Sequence, residues 1–242
     1  MYGSREYPPA MPRARLGFII PSSNRMIEPQ MQRYAPAGVV AHFTRLRMTN
    51  RHRRPLAELL PRILDSVSLL MDSKCDAIAF QCTGTSMSGG IEADDRVVSE
   101  IRSAADRPAT STAAAVRAAL SALSARRLVF ISETGPDGHA AKLAYLREAG
   151  CEILRDRAAG LPGSDVYCTT PPDYWYDAAI ELRHPGADAY FISCANIQSM
   201  DVIEALEKEL RKPVLTSNQV ALWHALRLLG ITTPGPGMLF NY

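Results

Sequence analysis

Charge of either sign is not in excess: 27 Lys and Arg stand against 25 Asp and Glu in 242 residues, a net charge of +2. A nucleic-acid binder needs a basic surplus gathered on one face, so the balance argues against that class. No apolar run approaches the ~20 residues that a membrane-spanning helix requires. The opening MYGSREYPPAMPRAR has no apolar stretch of the secretory-signal kind and reads as a flexible leader. Cysteine is sparse. The five residues, at 75, 82, 151, 168 and 194, are odd in number and form no C-x-x-C pair. That usage fits a reducing cytoplasm and speaks against a disulfide framework or a zinc site. Neither G-x-G-x-x-G nor G-K-[ST] occurs, so nucleotide cofactors have no support and no cofactor is expected. A cytoplasmic protein with neither a membrane nor a nucleic-acid partner is the starting point. Its 47% apolar content suffices for a core without metal or disulfide staples.

What is present is alternation. Short apolar runs read as buried strands at Arg15–Ile20, Val39–Leu46, Asp76–Phe80 and near Ala109. Helical spacing marks Leu56–Met71, Val97–Ala105 and Ala113–Leu123. The order then restarts, with strands at Arg127–Ile131, Cys151–Leu154, Asp188–Ile192 and Pro213–Leu215. Helices are expected at His139–Ala149, Asp173–Arg183, Asp201–Leu210 and Val220–Leu229. Strands alternating with helices predict parallel sheets covered on both faces. Arg15 and Arg127, Asp76 and Asp188, and Cys82 and Cys194 are each 112 positions apart, and RLGFII and DAIAFQC reappear as RLVFIS and DAYFISC. Arg107-Pro108…Thr110-Ser111 similarly resembles Lys212-Pro213…Thr216-Ser217. A shared offset marks a duplicated unit. The expected fold is α/β: two Rossmann-like lobes with parallel four-stranded sheets, related by pseudo-two-fold symmetry around a central site. Residues 1–120 make the first lobe and 121–217 the second, with 218–242 packing back on the first.

Ligands of open parallel sheets bind beyond the carboxyl ends of the strands. Cys82 and Cys194 each follow a strand directly, so two facing lobes present one thiol from each side of a cleft. A thiolate is a good nucleophile and base once its pKa is lowered. Cys75, Cys151 and Cys168 read as core, the usual place of a lone cysteine. Arg45, Arg47, Arg51, His52, Arg53 and Arg54 read as a solvated strand end and loop, Arg45 and Arg47 being kept as steering charges. His42, His139, His184 and His224 show no ligand spacing, and Tyr174, Trp175 and Tyr176 read as one packed helix face.

Several motifs together resemble a known family. They are Pro21-Ser22-Ser23-Asn24, Glu28-Pro29, His42-Phe43-x-Arg45-x-Arg47, Cys82-Thr83, Thr110-Ser111-Thr112, Ser193-Cys194-x-Asn196 and the closing Pro-Gly-x-Gly-Met-Leu-Phe. They are similar to those of the maleate cis-trans isomerase and arylmalonate decarboxylase group, within the aspartate/glutamate racemase superfamily, over about residues 15–240. The resemblance implies a cofactor-independent enzyme acting on a small carboxylic acid. Cys82 would add to a double-bond carbon, an enediolate would rotate, and Cys194 would handle the proton. Pro21, Ser22, Asn24, Thr83, Gly84, Thr134, Ala195 and Asn196 would surround the substrate. The decarboxylases lack the first cysteine, so Cys82 favours isomerase or racemase chemistry. Two positions depart from the pattern. Thr134 stands where the family usually has a tyrosine, which widens the pocket beside the negative Glu133, and Gln198 stands near where isomerases often have arginine. An arylmalonate-type decarboxylase using Cys194 as proton donor is the alternative, and a non-catalytic carboxylate binder is another. A homodimer or higher homo-oligomer is compatible with the reading.

Overall fold

The computed structural model describes residues 11–48 and 55–242. Most of the leader and Arg51, His52, Arg53 and Arg54 therefore lie outside the described residues. Strands β1 (Ala14–Pro21), β2 (Val39–Leu46), β3 (Ala77–Phe80) and β4 (Ala109–Ser111) form one sheet, in the order β2-β1-β3-β4. Strands β5 (Arg127–Ser132), β6 (Glu152–Ala158), β7 (Ala189–Ser193) and β8 (Val214–Thr216) form a second, in the matching order β6-β5-β7-β8. Every pairing is parallel. The helices are α1 (Ile27–Tyr34), α2 (Leu56–Asp72), α3 (Thr83–Ser88), α4 (Gly90–Ala105) and α5 (Thr112–Ala122) in the first half. The second half has α6 (Pro136–Glu148), α7 (Ser164–Thr169), α8 (Pro172–Glu181), α9 (Ile203–Leu210) and α10 (Ser217–Leu228).

The duplication holds at the level of single bonds. The Arg15 N–H donates to Asp76 Oδ2 at 2.7 Å, and the Arg127 N–H to Asp188 Oδ2 at 2.8 Å. Sheet register corrects one correspondence: Phe80 pairs with Ser111 and Ile192 with Thr216, so Ser111 matches Thr216 and Thr112 matches Ser217. Ser111 and Thr216 confirm this by doing the same work, each accepting a backbone N–H at the start of the following helix.

Alternating strand residues feed different layers, because successive side chains leave a strand on opposite faces. Ile19, Ile78 and Phe80 pack outward with Leu59, Ile63 and Val67 of α2. Leu16, Phe18 and Ile20 point inward, into a cluster shared with Leu128, Phe130 and Phe191 of the second sheet and with α5 and α10. On the far side Val129, Ile131 and Ile192 pack with Trp175 of α8 and Leu206 of α9. Burial on both faces is why the strands read as continuous apolar runs.

Differences from the sequence reading fall on short or charged segments. Helices α1, α3 and α7 had no expectation, being about two turns or fewer. Helix α4 begins at Gly90 instead of Val97, and α6 at Pro136 instead of His139, with proline in the first turn where its missing N–H costs nothing. Strand β6 runs to Ala158 through Arg155-Asp156-Arg157, an edge sequence without apolar alternation.

Candidate active site

Strands β3 and β7 each run out at the carboxyl end into a cysteine, Cys82 and Cys194. The two open onto one cavity of about 540 Å³ between the lobes. Pro21, Asn24, Thr83, Gly84, Thr134, Ala195 and Asn196 line the same cavity. Ser22 does not. Its side chain is exposed, its N–H donates to Leu46 O, and its neighbour Ser23 lines the wall instead. Arg45 holds this turn by donating to Ser22 O and Asn24 O at 3.1 and 2.8 Å, which makes it a clamp; Arg47 is exposed.

Cys82 precedes the first residue of α3, where helix N–H groups converge. Its Sγ lies 3.1 Å from Thr85 Oγ1. Burial pushes the Cys82 thiol up, and the Thr85 hydroxyl and N–H pull it back. Cys194 stands well above the ordinary thiol range, through burial first and the Glu133 charge second; Lys142 and the Asn196 N–H oppose this. Burial thus opposes ionisation of both thiols, with hydrogen-bond donors working against it at each. Cys194 also has φ +124°, a conformation that L residues rarely adopt.

Ser217, at the start of α10, holds that conformation. The Cys194 N–H donates to Ser217 Oγ at 3.0 Å, and Thr83 Oγ1 donates to the same oxygen at 2.9 Å. Gln81, just before Cys82, donates from Nε2 to Ser217 O at 2.9 Å. One buried serine therefore touches both cysteine loops. The asparagines close the seam. Asn24 Nδ2 donates to Ala195 O at 2.9 Å, while Asn196 Oδ1 accepts from the Arg25 N–H at 2.8 Å. Asn24 Oδ1 takes the Met26 and Ile27 N–H groups at the start of α1. Both amides are committed across or along the seam, so they shape the cavity wall.

Three lining features had no place in the sequence reading. Glu133 is not a lone negative charge: Lys142 Nζ lies 2.5 Å from its Oε2, and both residues are buried. Tyr167, on α7, lines the cavity with its hydroxyl beside Thr134, so an aromatic ring reaches the site from another element despite the threonine. Burial first, and the nearby Glu133 charge second, push its phenol up to about 12. Pro55, Leu56, Ala57, Ala93 and Ala141 make one wall apolar. Gln198 donates to Cys168 O at 2.9 Å and is not among the cavity's described lining residues. Among the described residues no group of His, Cys, Asp and Glu side chains is arranged to hold a metal, and no helix is long and apolar enough to cross a membrane.

Comparison with known proteins identifies the family and the fold. The family model described as arylmalonate decarboxylase matches residues 16–240. The maleate isomerase of Nocardia farcinica is 28% identical over 242 residues, covering 94% of this chain and 95% of its own. The arylmalonate decarboxylase of Bordetella bronchiseptica is 24% identical over 188 residues, covering 76% and 78%. A solved structure of the Nocardia farcinica maleate cis-trans isomerase, a cysteine-to-serine mutant with a covalently bound succinylcysteine intermediate, superposes with a TM-score of 0.86. It is 26% identical and covers 94% of this chain and 98% of that one. These relatives are enzymes, which sets aside the passive binder. With two thiols at the ends of equivalent strands facing one cleft, the chain belongs to the arylmalonate decarboxylase family.

Proposed function

We propose that this protein is a cofactor-independent isomerase or racemase of a small carboxylic acid, with Cys82 as nucleophile and Cys194 as acid and base. For an unsaturated acid, the Cys82 thiolate forms a C–S bond to one alkene carbon as the π pair moves into the adjacent carboxylate to give an enediolate. The former double bond is then single and rotates. Cys194 gives a proton to the carbanionic carbon and takes it back. Expulsion of the Cys82 thiolate restores the double bond in the other geometry, with no net redox change. The observation that carries this reading is the pair of thiols, one at the end of each of two equivalent strands, opening onto one cavity. The covalent succinylcysteine in the Nocardia farcinica relative supports it.

Replacing either Cys82 or Cys194 by Ser is expected to abolish turnover, since an alcohol is a far weaker acid and nucleophile than a thiol. Proton NMR in deuterated water, on a panel of maleate, malonates and amino diacids, reads both product and exchange. Full activity in both variants sinks the proposal. The apolar wall of Pro55, Leu56, Ala57 and Ala93 favours a second reading, decarboxylation of a substituted malonate with Cys194 protonating the enediolate. Carbon dioxide release that survives Cys82→Ser but not Cys194→Ser would establish it.

A further inference from the structure

Lys142 is the one cationic side chain among the described residues lining the cavity, and it is already paired. Its partner Glu133 sits just past the end of β5 and Lys142 one helix later, both on the cavity wall. Asp137, more exposed, also lines the cavity. As a pair, Glu133 and Lys142 carry no net charge on this wall.

The fold does not demand this pair. By the 112-residue offset, Glu133 and Lys142 match Pro21 and Gln30 of the first lobe. There Gln30 is equally buried but neutral, its amide joining Ile197 O and Asn218 across the seam. Buried ion pairs add little net stability, because desolvation opposes the attraction. A pair confined to one of two equivalent positions, and to the cavity wall, points to the ligand.

Its chemistry is specific. The 2.5 Å contact uses one of the three ammonium protons and one of the two carboxylate oxygens. The pair thus offers a donor beside an acceptor. A carboxamide matches both, with its C=O on Lys142 and its N–H on Glu133. A second carboxylate matches only the lysine and is repelled by Glu133. We propose, on the basis of the carboxylic-acid reading above, that Glu133 and Lys142 select a mono-anionic substrate. One carboxylate lies at the cysteine loops, and a neutral donor–acceptor group such as a carboxamide lies against the pair.

Two unreactive saturated probes, succinamate and succinate, test this by calorimetric titration of the wild-type protein, with no turnover needed. Succinamate is expected to bind at least about tenfold more tightly, the scale of one like-charge contact removed from a partly buried site. Glu133→Gln is expected to shift the preference toward succinate by freeing Lys142. The double variant Glu133→Gln/Lys142→Met, which leaves no unpaired buried charge, is expected to bring the two ligands within about threefold of one another. Succinate binding as tightly as succinamate in the wild type overturns the proposal, as does binding of neither. A preference unchanged in the folded double variant also overturns it. Loss of the two-cysteine chemistry in the Ser variants would leave these titrations unaffected, so the two readings fail separately.

Discussion

At the scale of single residues, the site depends on a strained cysteine and the serine that restrains it. Cys194 at φ +124° stores on the order of 1–3 kcal/mol that its surroundings must hold in place. The Cys194 N–H to Ser217 Oγ bond supplies part of that restraint and shares its oxygen with Thr83 of the opposite loop. Ser217→Ala is therefore expected to lower kcat by about tenfold while leaving KM within about twofold, because substrate contacts remain and thiol placement does not. Steady-state kinetics checks the split, and an equal rise in KM would mean that Ser217 acts on binding. Cys82 and Cys194 were legible in the sequence because the duplication set them apart from Cys75, Cys151 and Cys168. Ser217 was noticed only as part of a repeat, one residue out of register, because a hydroxyl's partners cannot be read from a chain 23 residues away. Lys142 was invisible for a related reason: a lysine inside a helix looks the same in sequence whether solvated or buried. Tyr167 lies in a stretch that showed no periodicity, so nothing marked its ring as part of the cavity wall.

At the scale of elements, long segments were legible and short ones were not. Helix α2 shows four turns of apolar spacing, whereas α3 and α7 have 6 residues each and express no period. Those two short helices carry Thr83, Gly84, Ser164 and Tyr167 to the cavity, so the least legible elements build much of the site. The packing of α4 against α5 has its own signature in pH. Asp94 of α4 is fully buried, and burial raises its pKa to about 7, with Ser111 and Arg117 opposing. Arg117 Nη2 lies 3.7 Å from its carboxylate. A carboxyl raised in the folded state contributes stability that is fully present below its unfolded pKa near 3.9 and is lost as pH rises through about 7. Asp94→Asn should remove that slope. The variant is expected to gain on the order of 2 kcal/mol relative to wild type between pH 5 and pH 8. Urea unfolding at the two pH values measures it, and parallel stability curves would mean that Asp94 is ionised throughout the range.

At the scale of the whole molecule, the two lobes are equivalent in sheet order but are joined by one asymmetric element. Helix α10 leaves β8 of the second sheet and lies against β3, β4 and α5 of the first. Its Leu222 and Leu226 are fully buried in the cluster that also holds Phe18 and Phe130, one from each sheet. The same helix supplies Asn218, whose Nδ2 donates to Gln30 Oε1 and Ala195 O at 2.6 and 3.1 Å. Alternating strands and helices foretold two lobes, because that pattern is local. The amide seam joins residues far apart in the chain, so no local pattern foretold it. A shared core and a shared seam mean that neither lobe keeps its buried surface if the other opens. The chain is therefore expected to unfold in a single transition, with calorimetric and van't Hoff enthalpies equal. Leu226→Ala should lower the stability by about 2–5 kcal/mol, the cost of emptying a fully buried leucine site. Because that cavity opens where both sheets meet, the whole transition should move down in temperature without dividing. Two separate transitions in the variant would show that the lobes hold their cores independently, and that α10 joins two domains that fold alone.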